Sequence, residues 1–144
     1  SVAESCTGGM LASQLVNVPG SSNVFKEGLV VYANEAKMKY LDVQEETLKT
    51  FGAVSEECAR EMCDKLYEKT DADIAVSISG IAGPAGGSED KPVGLVYFGI
   101  NHQGVTKTYR KVFNGDREMV RYRAMIFALN QVRMELLLSE NSTT

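Results

Sequence analysis

The first half of the chain alternates between strand-like and helix-like patterns of apolar residues. Short runs of small, β-branched and aromatic residues predict strands at residues 1–5, 25–32 and 72–79. Between these strands, apolar residues recur at spacings of three and four, which predicts amphipathic helices. The predicted helix boundaries are an opening just after Ser5, an end near Asn17, and caps at Asn34, Asp42 and Ser55.

The second half of the chain predicts a hairpin and a long helix. Residues 93–100 are nearly all apolar, which predicts a central strand buried on both faces. Residues 105–113 alternate with charges after a predicted turn around His102, so they are expected to form the second arm of an antiparallel hairpin near a sheet edge. A helix from about Arg117 to about Leu138 is expected to cover the sheet.

These elements predict one α/β domain over residues 1–138, with a mixed sheet between helices in a three-layer α/β/α arrangement. The remaining residues, 139–144, form a polar tail that is expected to be disordered. Because the chain opens inside a predicted strand, we expect that a preceding helix is missing from it.

Composition and charge limit the classes of partner. The formal net charge of −4 over 144 residues argues against a general nucleic-acid or membrane-surface binder. No apolar run approaches the ~20 residues that span a bilayer. The three cysteines lack metal-ligand spacing and His102 is the single histidine, so no metal site and no cofactor are expected. Three reduced thiols fit a cytoplasmic protein.

A cluster of nucleophilic and small residues stands at residues 5–9, between the first strand and the first helix. Such a strand-to-helix turn holds Ser5 or Cys6 off the sheet edge. It also aims backbone N–H groups, here those of Thr7 and Gly8, at a bound oxyanion or phosphate. The alternative is that Ser5 or Thr7 only caps the helix.

Lys37 is unusual because it falls in the first turn of a predicted helix, where the positive end of the helix dipole disfavours a cation. The same potential would lower the pKa of Lys37 towards the range of a general base, whereas Glu35 would raise it. Tyr32 closes the preceding strand and is expected close by. The alternative is an exposed lysine that points into water.

Two further features suggest anion binding. The glycine-rich stretch at residues 80–87 follows a strand, and its N–H groups could form a nest for an anion. Arg117 and Arg121 are four residues apart on one helix face, which could hold a phosphate. The alternatives are a flexible connection for the glycine-rich stretch and a solvated helix face for the arginines.

Three motifs occur together in this order: A-E-S-C-T-G-G at residues 3–9, Y-A-N-E-A-K at 32–37 and S-G-I-A-G-P-A-G-G at 79–87. On these motifs the chain resembles the CinA C-terminal domain family, the nicotinamide-nucleotide amidases. The likeness runs from Ser1 to about Leu137. In many bacteria this domain is fused to an N-terminal domain of molybdopterin-binding appearance, so we expect a stand-alone member or an excised piece.

The resemblance implies hydrolysis of the carboxamide of nicotinamide mononucleotide to nicotinic acid mononucleotide and ammonia, in pyridine-nucleotide salvage and without a metal. It implies a catalytic set of Ser5, Tyr32 and Lys37. We also expect a homo-oligomer. The expected substrate-binding residues are Ser22 and Ser79 (threonine in many members), Arg117 and Arg121 from the resemblance, and Thr7, Gly8 and Gly80 from the glycine-containing turns.

Several alternatives stay open at this point. The same fold could serve as a non-catalytic nucleotide-binding or regulatory domain that keeps the pocket without turnover. The nucleophile could be Cys6 in place of Ser5. The immediate proton acceptor could be Lys37 or Tyr32, and the sequence does not decide which arginine meets the phosphate.

Overall fold

A five-stranded sheet runs through the computed structural model, which describes residues 1–143. Two strands in the first third of the chain are only three residues long, and the later ones have seven or eight residues. The strands are β1 Val2–Glu4, β2 Gly28–Val30, β3 Ile74–Gly80, β4 Leu95–His102 and β5 Val105–Val112. The helices are α1 Met10–Val16, α2 Asn34–Leu41, α3 Glu45–Thr50, α4 Glu56–Lys69 and α5 Arg117–Asn141, with a 3₁₀ turn at Ser21–Asn23.

The strand order is β2-β1-β3-β4-β5. Strand β1 is parallel to both β2 and β3, whereas β4 is antiparallel to both β3 and β5. Parallel neighbours bring their carboxyl ends to the same edge, so the segments after β1 and β2 meet there. The mixed sheet of an α/β domain is confirmed.

Apolar side chains fill both faces of the sheet. Helices α1 and α5 cover one face, and α2 and α4 cover the other, which gives three layers. The first core includes Val76, Ile78, Val96, Phe98, Ile100, Val120, Ala124 and Ala128, and the second includes Ala3, Val31, Leu41, Met62, Cys63, Leu66 and Ala75.

Helix α1 begins later than the sequence predicts. It starts at Met10, because residues 5–9 form a turn in which Gly8 and Gly9 have φ values of 58° and 98°. Backbone in this left-handed region does not continue a right-handed helix. The predicted opening just after Ser5 is therefore wrong by about one helical turn.

The predicted caps of α2 and α3 are also wrong. Asn34 lies inside α2, and the residue before it, Ala33, makes no side-chain cap. Asp42 does not open α3: it ends α2 with a φ of 51°, and α3 follows Gln44 without a side-chain cap. The cap at Ser55 is confirmed, since its hydroxyl accepts from the N–H of Cys58 at 3.1 Å.

The far end of the sheet shows two smaller differences. His102 is the last residue of β4, and the turn itself is made by Gln103 and Gly104. Helix α5 continues to Asn141, so the predicted disorder from residue 139 is wrong over the first three tail residues. The prediction for Thr144 lies outside the described residues.

No helix in residues 1–143 is long and apolar enough to cross a membrane.

Candidate active site

The candidate site lies where β1 and β2 end side by side. The N–H of Ser5 donates to the carbonyl of Ile78 at 2.9 Å, and the N–H of Val31 donates to the carbonyl of Glu4 at 2.9 Å. These bonds extend the sheet pairing by one residue and fix the peptide group that joins Glu4 to Ser5, just before the turn. The side chain of Ser5 is nearly buried, with 7% of its surface exposed.

Lys37 meets Ser5 at this edge. Its Nζ lies 3.0 Å from Ser5 Oγ, 2.9 Å from the Val31 carbonyl oxygen and 3.0 Å from the Tyr32 carbonyl oxygen. A neutral lysine amine has two N–H groups and one lone pair. If the two carbonyls accept both N–H groups, the lone pair faces the Ser5 hydroxyl, which is the arrangement of a nucleophile and its base.

Burial favours this neutral form. Lys37 is only 1% exposed, and desolvation lowers the pKa of its amine below the ordinary lysine value. Electrostatic interactions with Cys58, Cys6 and Glu35 oppose this lowering of the pKa but do not cancel it. The alternative of a lysine pointing into water is therefore wrong.

Tyr32 contributes to the site through its backbone. Its carbonyl binds Lys37, while its side chain is 61% exposed and its hydroxyl accepts from Arg117 Nη2 at 3.0 Å. The other terminal nitrogen of Arg117 donates to the Gly83 carbonyl at 2.7 Å. The phenol hydroxyl makes no contact with Lys37 in the described part of the chain, so a relay through Tyr32 lacks the required hydrogen bond.

The N-terminus of α1 does not offer the anion site that the sequence predicts. Its first amides are already bound, because the carboxylate of Glu4 accepts from the N–H of Leu11 at 2.8 Å and of Ala12 at 3.1 Å. The N–H of Gly8 donates back to the Ser5 carbonyl at 3.0 Å. Within residues 1–143, the N–H of Cys6 bonds its own thiol, whereas the N–H groups of Thr7 and Gly9, in the turn before α1, have no oxygen acceptor and are available to an oxyanion.

Arg121 holds the same turn from the other side. Its Nε donates to the Cys6 carbonyl at 2.9 Å and its Nη2 to the Thr7 carbonyl at 3.1 Å. Gly8 is exposed, and a Cβ there would lie 3.2 Å from Arg121 Nη2. Thr7 is fully buried, and its hydroxyl is the one buried side-chain polar atom without a partner in the described chain.

The three other expected substrate contacts have different surroundings. The hydroxyl of Ser79 is buried and donates to the Ala53 carbonyl at 2.7 Å. Gly80 has a packing role, because a Cβ there would lie 2.7 Å from a methyl group of Val96. Ser22 is exposed in the 3₁₀ turn that follows α1, and its substrate contact stays a prediction.

Cys6 is a poor candidate for the nucleophile. It is buried in the core between the sheet and α5, and burial raises the pKa of its thiol to about 11. The thiolate, which is the reactive form, is therefore scarce near neutral pH. His102 lies at the opposite end of the sheet, where it pairs with Ile74 of β3 and faces Glu135.

A thiol reagent should discriminate between the two nucleophiles. We expect Cys6→Ala to keep most of the activity proposed below, and iodoacetamide to modify Cys6 slowly at pH 7 because its thiol stays protonated. Progress is measured by peptide mass spectrometry alongside the activity of each sample. Rapid loss of activity that tracks alkylation of Cys6, together with an inactive Cys6→Ala, would make the thiol the nucleophile.

No group of three or more metal-ligating side chains forms among the described residues. Two surface cavities, of about 260 Å³ beside the far end of α1 and about 360 Å³ beside His102, include neither Ser5 nor Lys37. Three exposed groups connect to the Ser5–Lys37 pair through hydrogen bonds: Gly8 bonds the Ser5 carbonyl, Tyr32 binds Lys37 through its own carbonyl, and Arg117 bonds the Tyr32 hydroxyl.

Comparisons with known proteins agree on one family. The family model of the CinA C-terminal domain matches residues 1–136. A CinA-like protein of Thermotoga maritima is 55% identical over 136 residues, which is 94% of this chain and 33% of that protein. The chain thus spans about a third of the length of the curated relatives that it matches.

Solved structures give the same result. Competence damage-inducible protein A from Klebsiella pneumoniae has a TM-score of 0.91 at 41% identity, over 94% of this chain and 84% of that chain. Competence/damage inducible protein CihA from Agrobacterium tumefaciens has a TM-score of 0.89 at 40% identity, over 92% of this chain and 82% of that chain.

Proposed function

Because the chain belongs to the CinA C-terminal domain family, we propose that it hydrolyses the carboxamide of nicotinamide mononucleotide, with Ser5 as nucleophile and Lys37 as base. The observation that carries the proposal is the buried hydrogen bond of 3.0 Å between Lys37 Nζ and Ser5 Oγ. Serine–lysine pairs are a recurring solution to acyl transfer without histidine. The expected homo-oligomer and cytoplasmic location remain predictions.

The first half of the reaction forms an ester. Lys37 accepts the hydroxyl proton while Ser5 Oγ attacks the carboxamide carbon, and the cationic pyridinium ring activates that carbon by withdrawing electrons. The resulting oxyanion is stabilised by the N–H groups of the turn that have no oxygen acceptor in the described chain, those of Thr7 and Gly9. Lys37 then returns its proton to the departing nitrogen, and ammonia leaves.

The second half of the reaction hydrolyses the ester. A water molecule gives a proton to Lys37 and attacks the same carbon, the bond to Ser5 Oγ breaks, and Lys37 returns the proton to that oxygen. The products are nicotinic acid mononucleotide and the original enzyme. Lys37 must be neutral at the start of each half, and the burial that lowers its pKa favours that form.

Arg117 is the better candidate for the 5′-phosphate. It is exposed, and within residues 1–143 it uses two of its five N–H groups, one towards Tyr32 and one towards Gly83. Arg121 is half-buried, and its Nε and Nη2 donate to the turn carbonyls of Cys6 and Thr7. The two arginines therefore have different roles: Arg117 binds substrate, and Arg121 supports the turn that carries Ser5.

This division predicts two different kinetic effects. Arg117→Ala is expected to raise KM with little change in kcat, because losing a charge-assisted hydrogen bond costs roughly 1.5–3 kcal/mol, or about 10- to 150-fold in affinity. Arg121→Ala is expected to lower kcat and the melting temperature instead. Steady-state kinetics and thermal melting of both variants measure this. An unchanged KM in Arg117→Ala would remove phosphate binding from Arg117.

The proposed function is tested by ammonia release. The chain is incubated with nicotinamide mononucleotide, and ammonia and nicotinic acid mononucleotide are measured together, with Ser5→Ala as the control. Equimolar release that needs Ser5 supports the amidase. Tight binding of the nucleotide by calorimetry without any product would favour the non-catalytic binding domain.

A further inference from the structure

Glu4 is a fully buried carboxylate, 0% exposed, at the end of β1. It makes no ion pair with a lysine, arginine or histidine within residues 1–143. Its two oxygens accept instead from the N–H of Leu11 at 2.8 Å and the N–H of Ala12 at 3.1 Å. A buried charge is tolerated only when such bonds compensate it, which makes this contact a strong geometric constraint.

The contact closes the turn that carries the nucleophile. Glu4 is the last strand residue before that turn, and Leu11 and Ala12 are the second and third residues of α1 after it. Helix starts usually take this bond from the N-cap side chain, but the N-cap here is Gly9, which has none. Glu4 therefore joins the two ends of a five-residue turn whose own glycines would leave it flexible.

We propose that Glu4 is a positioning residue: its carboxylate caps α1 and thereby holds Ser5 Oγ opposite the lone pair of Lys37. The Lys37 amine is anchored separately by the carbonyls of Val31 and Tyr32, so only the Ser5 side of the pair depends on Glu4. The kinetic part of this proposal rests on the proposed function, whereas its geometric part does not.

A glutamate at position 4 can accept from both N–H groups of α1, whereas a glutamine or an aspartate cannot. Both oxygens act as acceptors, one for each N–H. In Glu4→Gln one oxygen becomes an NH₂ group, so a donor faces the N–H of Leu11 or Ala12. In Glu4→Asp the carboxylate is one methylene shorter and reaches only part of the way to α1.

The test compares Glu4→Gln and Glu4→Asp with Glu27→Gln, which changes an exposed glutamate that has no hydrogen bond in the described chain. Amide exchange by NMR is expected to accelerate at Leu11 and Ala12 by at least about 10-fold in the Glu4 variants only. The kcat for amide hydrolysis is expected to fall on the order of 10²-fold, with KM within about threefold, because misplacement by 1 Å has effects of this size.

Unchanged exchange at Leu11 and Ala12, or an unchanged kcat of the folded variants despite faster exchange, would overturn the proposal. If the unmodified chain does not hydrolyse the nucleotide, the proposed function fails and a crystal structure of Glu4→Gln decides the geometric part. We expect Ser5 Oγ to move beyond 3.5 Å from Lys37 Nζ, and a distance still near 3.0 Å would contradict it. If none of the Glu4 variants folds, amide exchange is measured in the unmodified chain. Rapid exchange at Leu11 and Ala12 there would also contradict the proposal that Glu4 caps α1.

Discussion

Ser5→Ala is expected to abolish ammonia release, with kcat lowered by about 10⁴-fold or more, because covalent catalysis has no substitute once the nucleophile is gone. The substitution removes one nearly buried hydroxyl that contacts Lys37, so the fold and the nucleotide affinity should change little. The measurement is steady-state ammonia release, with calorimetry for binding of nicotinic acid mononucleotide.

Ser77→Ala is the matched control for Ser5→Ala. It also removes a buried hydroxyl from the sheet, but that hydroxyl donates to the Ala59 carbonyl and makes no contact with Lys37. We expect a small loss of stability and turnover of the same order as the unmodified chain. Full activity in Ser5→Ala would remove the serine from the mechanism.

Lys37→Met is expected to lower kcat by about 10²- to 10⁴-fold, the range attributed to a positioned general base. Methionine has nearly the length of the lysine stem and suits the burial at this position, so the variant should fold and still bind nucleotide. Lys37→Arg should not rescue turnover, because guanidinium keeps its proton at any working pH. Near-native kcat in Lys37→Arg would make the side chain a fixed positive charge, and the base role would be wrong.

The pH dependence follows from the same residue. The active form of Lys37 is neutral, so kcat/KM should rise with pH through an apparent pKa below the ordinary lysine value of about 10.4. Between the folded and unfolded pKa values the native state binds fewer protons than the unfolded chain, so this group makes the protein more stable as pH rises through that window. A rate that falls with pH across this range would contradict the assignment.

Lys37 could be singled out from the sequence because it breaks a local rule, whereas its pairing with Ser5 was implied only by the family resemblance. A cation in the first turn of α2 opposes the helix dipole, and the structure resolves the conflict by burying Lys37 against two carbonyls. The partners themselves could not be predicted, since they are backbone atoms whose positions depend on where β2 ends. The length of β2 is set by pairing with β1 and leaves no sharp sequence signal.

The turn was harder to predict than the residues in it. The positive φ angles of Gly8 and Gly9 delay α1, and nothing in the sequence indicates that Glu4 binds α1 seven residues later. The available signal was a charged residue inside an otherwise small, apolar strand. Arg117 and Arg121 share a helix face. The contacts of Arg121 with the carbonyls of the turn depend on the three-dimensional path of that turn, so the sequence could not predict them.

The most direct test of the proposed acyl-enzyme on Ser5 is a partition experiment with hydroxylamine. An ester on Ser5 would be shared by every substrate with the same acyl group, so hydroxylamine and water should compete for it in a fixed ratio. We predict the same ratio of hydroxamate to acid from nicotinamide mononucleotide and from the methyl ester of nicotinic acid mononucleotide, and neither product with Ser5→Ala. A ratio that changes with the leaving group would contradict a common acyl-enzyme, and with it the serine mechanism.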